Sequence, residues 1–324
     1  MSKDLLMLDV LERRALRRED RRRFFRNAGG LSLGLVGGTV LSACGGGSGS
    51  GAMAASGPTD ADVLNFALNL EYLEAQFYSY AATGAGLPQS MLGGTGTQGT
   101  VIGGTQVTFS DPVVAAYARE IAKEEAEHVA FLRSALGSAA VAQPAVDVGG
   151  TDPNGAFSTA ARAAGLVAAG QAFNPYADDN SFLLAAFIFE DVGVTAYKGA
   201  SPLISNKTYL EAAAGILAAE AYHAGLIRST LYSKGIATPS LVSGANAISA
   251  ARDSLDNSAM DDQGISGTDA SIANIAPLDS NGIAFSRSTG DVLNIVYLTS
   301  AAATKGGFFP NGVNGTLNSS SAFA

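Results

Sequence analysis

The chain has 324 residues, 47% of them hydrophobic and only 15% charged, with a formal net charge of −9; that is enough apolar material for a packed soluble core. Residues 1–44 hold 9 Lys and Arg against 5 Asp and Glu, leaving 11 basic and 24 acidic residues beyond them, a formal −13. So acidic a surface repels nucleic acid and anionic lipid headgroups, whose contacts depend on basic side chains.

The first 44 residues read as an address rather than a fold element. Asp20-Arg21-Arg22-Arg23-Phe24-Phe25-Arg26 resembles a twin-arginine export signal, and the apolar stretch from Ala28 to Ala43 is too short and glycine-rich to span a membrane. It ends in Leu41-Ser42-Ala43-Cys44, which resembles a bacterial lipobox with Cys44 as the lipidated residue. Cys44 is the only cysteine, so no internal disulfide can form. Residues 45–58 then read as a flexible tether, and the expected product is an exported periplasmic or cell-envelope lipoprotein.

Beyond the tether the pattern is helical. A first helix is predicted from Thr59 or Asp60 to about Thr83, with Thr59 and Asp62 spaced as a capping pair. Gly84 to Ser110 reads as a long loop with a small hairpin. A second helix opens at Asp111-Pro112 and closes at Gly137. After a long connection, helical over Ala156 to Ala169, a third helix fits Ser181 to Lys198 and a fourth Lys207 to Lys234, stopped by Gly235. Residues 236–324 read as a mostly irregular extension with short helices, one near Gly290 to Ala302. The long connection between helices two and three suits a bundle built as two helix pairs with a crossover, placed at 59–235.

The chain has only two histidines, and each stands three residues after a glutamate: Glu125-Ala126-Glu127-His128 and Glu220-Ala221-Tyr222-His223. On a helix this spacing sets both side chains on one face, able to bind one ion from the same side. With 11 Glu in the chain, chance would place both about once in a thousand.

Ile121 to Leu136 overlays Ile216 to Leu231 without a gap, which reads as an internal duplication. The preceding helices also match, Glu71 and Tyr78 falling on Glu190 and Tyr197. Glu74, Glu124 and Glu127 find Gly193, Ala219 and Tyr222 opposite them, so the overlay selects Glu71, Glu125, Glu190 and Glu220. These positions interrupt apolar seams such as Val114, Ala118, Ile121, Glu125, His128, Leu132. Buried carboxylates need a counter-charge, and two divalent cations would neutralise four of them. Tyr78 and Tyr197 are expected to be plain packing, Arg133 and Arg228 to lie solvated or capping at helix ends, and Asp191 to support the site or play no part.

The order Glu, ExxH, Glu, ExxH resembles the rubrerythrin-like pattern of the ferritin-like superfamily, and within it the desiccation-related proteins. The motifs Asn294-Ile295-Val296-Tyr297 and Gly306-Gly307-Phe308-Phe309-Pro310-Asn311-Gly312 are similar to that subgroup's tail. Rubredoxin-type cysteines are missing, which removes rubrerythrin proper. The resemblance implies an all-α, ferritin-like four-helix bundle. Glu71, Glu125 and His128 would serve one metal and Glu190, Glu220 and His223 the other, with Glu125 and Glu220 bridging. Iron is the first expectation and manganese the second.

Three function classes follow: a di-metal oxidoreductase of ferroxidase, peroxidase or catalase type acting on dioxygen or peroxide in oxidative or desiccation stress, an iron-binding or storage protein, and a structural stress protein. The expected partners are that small-molecule substrate and the membrane through the lipid anchor, with no nucleic acid and with room for a homodimer.

Overall fold

The first helix, α1 (Asp60–Thr83), starts where the spacing predicts. The Thr59 hydroxyl accepts from the Asp62 N–H while the Asp62 carboxylate accepts from the Thr59 N–H, a reciprocal capping box, and Gly84 ends the helix in a left-handed conformation at φ 77°. α1 is buried without a break from Val63 to Tyr78, as expected of a helix packed on every side. α2 (Pro112–Leu136) begins with proline in its first turn behind Asp111, whose side chain accepts from the Val113 N–H. The two helices pack along much of their length.

The structure, a computed structural model, describes residues 57–256, 261–267 and 271–323. The export signal, Cys44 and all of the tether except residues 57–58 lie outside the described residues. The chain divides into two units, Met1–Gly57 with Asn206–Thr208, and Pro58–Ser205 with Tyr209–Ala324. Of the first, only Gly57 and the stretch 206–208 are described, and the features below belong to the second, except that the helix Lys207–Ala237 takes its first two residues from that stretch.

The loop after α1 does not form a hairpin. Its strand β1 (Val101–Ile102) pairs in parallel with β2 (Val146–Asp147) from the crossover. The glycines explain the difference. A Cβ on Gly94 would stand 2.4 Å from Ala140 O, one on Gly99 2.0 Å from Ala145 N, and one on Gly103 2.2 Å from Gly149 Cα. They let two backbones meet, where the sequence suggests turns. The crossover helix α3 (Ala156–Ala163) stops at Ala164, before Gly165 at φ 69°, shorter than the predicted 156–169.

α4 (Asp179–Ala200) starts two residues earlier than predicted because Asp178 supplies the N-cap, accepting from Ser181 N–H. α5 (Lys207–Ala237) runs through Gly235 rather than stopping there. That glycine makes room for Val242, whose Cγ2 would lie 2.4 Å from a Cβ. The helix ends at Thr238-Pro239, where the proline ring disfavours helical backbone in the residue before it. Pro239 opens α6 (Pro239–Asp253), longer than the short helices expected in the extension. α7 (Thr289–Tyr297) ends where Leu298 adopts φ 56°.

Helices α1, α2, α4 and α5 make an all-α bundle with a long crossover between its pairs, as the resemblance implies. The extension is built into its core. Phe77 packs against Phe157, Tyr176, Phe182 and Phe189, and Phe308 from the extension fills the same cluster against Phe157 and Phe189. Asn314 exchanges two hydrogen bonds with Asn69 of α1 and donates to Ala142 O of the crossover. Among the described residues, no helix is long and apolar enough to cross a membrane.

Candidate metal centre

Four helices each bring their motif residues to one point in the bundle. Glu71, Glu125, His128 and Glu220 offer ligand atoms within 4.8 Å of one another, as do Glu190, Glu220 and His223. His128 Nδ1 lies 3.2 Å from Glu71 Oε2, 3.5 Å from Glu125 Oε2 and 3.6 Å from Glu220 Oε1. His223 Nδ1 lies 3.0 Å from Glu125 Oε1 and 3.6 Å from Glu190 Oε2. Glu125 therefore sits between the two imidazoles, whose ring centres are 6.2 Å apart, and Glu220 belongs to both groups.

Burial makes this arrangement costly unless something neutralises it. Glu71, Glu125, Glu190, Glu220 and His223 are each at most 3% exposed, and His128 is the least enclosed, with 12% of its side chain exposed. Both oxygens of Glu125, Oε2 of Glu190, Oε2 of Glu220 and Nδ1 of His223 are sealed from solvent with no hydrogen-bond partner. So many unpartnered lone pairs pointing at one volume suit a cation, because each orphaned polar atom costs about 1–3 kcal/mol. Mixed carboxylate and imidazole donors fit iron or manganese. The residues present fit the group the fold implies.

Without metal, protons must do the neutralising. Burial pushes the Glu71 carboxyl up to about 7 and Glu190 up to about 8, and raises Glu220 well above the usual range. For Glu125 burial works the same way, but His128 and His223 on either side outweigh it and hold that carboxyl low. Burial disfavours the charged imidazoles, yet Glu71 and Glu125 lift His128 to about 11, and Glu190 and Glu125 lift His223 to about 10.

Two tyrosines expected to be packing do more. The Tyr78 hydroxyl donates to Glu190 Oε1, and the Tyr197 hydroxyl to Glu71 Oε1. Each half of the duplication thus orients the glutamate of the other half. The tyrosines' seven-residue interval from Glu71 and Glu190 was the available signal, since it returns a side chain to the same helix face.

Two glutamates that the overlay sets aside also belong to the neighbourhood. Glu74 is buried, its Oε2 lacks a partner, and burial raises its carboxyl well above the usual range, helped by Glu125 and Glu190. Its counterpart Gly193 leaves room for Glu220, whose Oε2 would lie 2.4 Å from a Cβ there. Glu124, on the solvent side, comes within 2.8 Å of His223 Nε2. Demanding symmetry hid both, although Glu74 stands one helical turn after Glu71.

Arg133 and Arg228 are not solvated helix ends. Arg133 donates to the Tyr72 hydroxyl at 2.5 Å and to Gly93 O at 2.6 Å. Arg228 is fully buried and pairs with Asp191 Oδ2 at 2.7 Å. Asp191 therefore faces a guanidinium rather than the cluster, one helix position away from Glu190.

A family model described as a ferritin-like domain matches residues 59–233. Among curated proteins the chain is similar to the ferritin-like catalase Nec2 of Nesocodon mauritianus, 28% identical over 273 residues that cover 80% of this chain and 84% of the relative. It is equally similar to the desiccation-related protein PCC13-62 of Craterostigma plantagineum, 28% identical over 275 residues, 79% of this chain and 83% of the relative. No solved structure matches. The family match, the helical bundle and the convergent carboxylate and imidazole groups agree: the chain belongs to the ferritin-like family and carries in its bundle a carboxylate-rich group of the kind that binds metal.

Proposed function

We propose that Glu71, Glu125, His128, Glu190, Glu220 and His223 hold two divalent metal ions, iron first and manganese second, and that the centre consumes peroxide in a catalase-type reaction. The observation that carries the reading is the set of sealed, unpartnered donor atoms that three helices direct at one volume, with Glu71 of a fourth helix beside them. The name of the Nesocodon relative supports the reaction. Disproportionation converts two peroxide molecules into two waters and one dioxygen, so it needs no external reductant.

A redox-active metal pair would supply the two-electron exchange with peroxide. The protein's own contribution is positional. Glu125 and Glu220 stand between the two halves and are the bridging candidates. Tyr78 and Tyr197 fix the orientation of Glu190 and Glu71. Glu124 stands 2.8 Å from His223 Nε2, where it would accept the Nε2–H when Nδ1, which faces inward, gives up its proton to hold metal. Protons displaced from the glutamates and imidazoles leave when metal enters, and His128, the least enclosed of the six, marks the side open to solvent.

The proposal includes export by the twin-arginine route and anchoring through a lipid on Cys44, which would place the activity at the cell envelope. Metal analysis of purified protein by mass spectrometry should find about two ions per chain, and iron- or manganese-loaded protein should release dioxygen from peroxide. Retention of both metals in the double variant His128→Ala/His223→Ala would reject the site. Loaded protein that is inert toward peroxide would reject the catalase reading and favour a structural or storage role. Cys44→Ser should release the protein from membranes if the anchor is real.

A further inference from the structure

A second group of carboxylates, two buried and one half-buried, lies where the extension meets the bundle. Asp253 at the end of α6, Asp256 just beyond it, and Asp261 each bring a carboxylate oxygen within 4.8 Å of the others. Asp256 is 4% exposed. Its Oδ2 pairs with Arg287 Nε at 2.6 Å, but its Oδ1 is sealed from solvent with no hydrogen-bond partner, and so is Oδ1 of Asp253.

The surrounding charges do not balance. Arg287 also reaches Asp261 and Asp262, and Arg252 joins Asp262 to Asp191, which Arg228 pairs from the other side. Among the described residues, Asp191, Asp253, Asp256, Asp261 and Asp262 thus face three guanidinium groups, an excess of two negative charges. An unpaired charge at such a place is expensive, and the excess equals one divalent cation.

From this geometry we infer that Asp253, Asp256 and Asp261 form a Ca²⁺ site, separate from the bundle centre, that fastens the extension to α4. The donors are all carboxylate oxygens, which suits a hard cation, and Ca²⁺ accepts an irregular set of carboxylates where Mg²⁺ demands a near-ideal octahedron. The fastening role follows from Arg287. It holds Asp256 and Asp261 from one side while its backbone N–H donates to Thr195 O of α4 at 3.1 Å and its guanidinium to Thr195 Oγ1 at 2.9 Å. A cation on the far side of the same carboxylates would lock the segment from both sides.

The test uses the full chain, freed of metal by chelation and titrated with Ca²⁺ by calorimetry and by thermal unfolding. Saturating Ca²⁺ should raise Tm by about 5 °C, and Asp253→Asn and Asp256→Asn should each weaken binding at least tenfold. Mg²⁺ should be the weaker ligand. Asp253→Asn, a change at a half-buried residue, keeps the test decisive if Asp256→Asn fails to fold. Absence of any heat or Tm change at millimolar Ca²⁺ would overturn the site, meaning that a proton on Asp256 does the neutralising. Ca²⁺ stabilisation that survives both substitutions would also overturn it, by placing the ion elsewhere.

Discussion

The molecule solves the problem of buried carboxylates twice, in different ways. At the extension, Asp191, Asp256, Asp261 and Asp262 meet permanently charged guanidinium groups of Arg228, Arg252 and Arg287. In the bundle, five glutamates, counting Glu74, meet two imidazoles, two tyrosine hydroxyls and each other. Guanidinium stays charged at any accessible pH, so the first network is set for structure. Imidazole and raised carboxyls exchange protons, so the second can give them up to a metal. The contrast separates a fastening of mostly fixed charges, with room for the one Ca²⁺ inferred above, from a site neutralised throughout by exchangeable protons and so loadable as a whole.

The largest expected effect tests the fixed side. Arg287→Met would take the guanidinium away from Asp256 and Asp261 and leave Asp262 with Arg252 alone, and breaking buried pairs in this way costs about 3–5 kcal/mol. Denaturant unfolding should show that loss with bundle metal content unchanged in whatever protein remains folded. Loss of less than 1 kcal/mol would mean the network is not what holds the extension down.

On the loadable side, metal-free protein should lose stability as pH rises from about 5 to 9, whereas in the Arg-paired network the resolved contribution of this sign is chiefly that of Asp256, which burial pushes up to about 7 against the pull of Arg287. The sign follows from the protons held. Glu71 and Glu190 are raised from 4.5 to about 7 and 8, and His128 and His223 from 6.5 to about 11 and 10. Over that window the folded state binds more protons than the unfolded chain, and stability falls with rising pH wherever that is so. Glu125, held low, contributes its own dependence only below this window. Metal-loaded protein has already released those protons and should show a flatter profile, with metal affinity weakening as pH drops. Tm measured across the range in both forms checks the difference, and parallel profiles would break the comparison.

The contrast also explains what could be read from the sequence. The convergence of the bundle glutamates and histidines was legible because they repeat: the ExxH spacing, the constant offset and the matching upstream Glu each fix a helix face, and helix geometry does the rest. Caps such as Thr59/Asp62 and Asp111-Pro112 were legible because they are local. Arg228 was misread because its partners, Asp191, Asn274 O and Gly264 O, come from distant segments that no spacing connects. Gly94, Gly99 and Gly103 were misread for the same reason, since a glycine that admits another backbone looks like one that makes a turn. Glu74 fell between the two cases: its spacing pointed to the cluster, but the symmetry used to choose ligands excluded it.

Glu74→Gln sharpens that point with a smaller effect. Removing one ionisable group from a cluster already short of positive charge should leave the metal-free protein as stable or more stable at pH 8, because Glu74 has no guanidinium partner and its Oε2 is unpartnered. The same change should lower metal affinity if Glu74 takes part in holding the ions and leave it unchanged if it only lines the wall. Calorimetric titration with Mn(II) distinguishes the two.

The smallest expected effects come from the tyrosines, and they test whether the two halves are equivalent. Tyr197→Phe removes the donor to Glu71 Oε1, and Tyr78→Phe the donor to Glu190 Oε1. Each loss of a hydrogen bond to a carboxylate should cost about 1.5–3 kcal/mol at most, in protein that still takes up two ions, because the ligands themselves are intact. The halves differ around their histidines, since Glu124 stands against His223 Nε2 while its repeat counterpart beside His128 is Ala219. Tyr78→Phe acts on the half that Glu124 already braces through His223, so it should shift metal affinity less than Tyr197→Phe, whose half has only the tyrosine. Equal shifts would show that the bracing carboxylate is dispensable; a whole ion lost in either variant would show that the tyrosine decides whether its glutamate can bind at all.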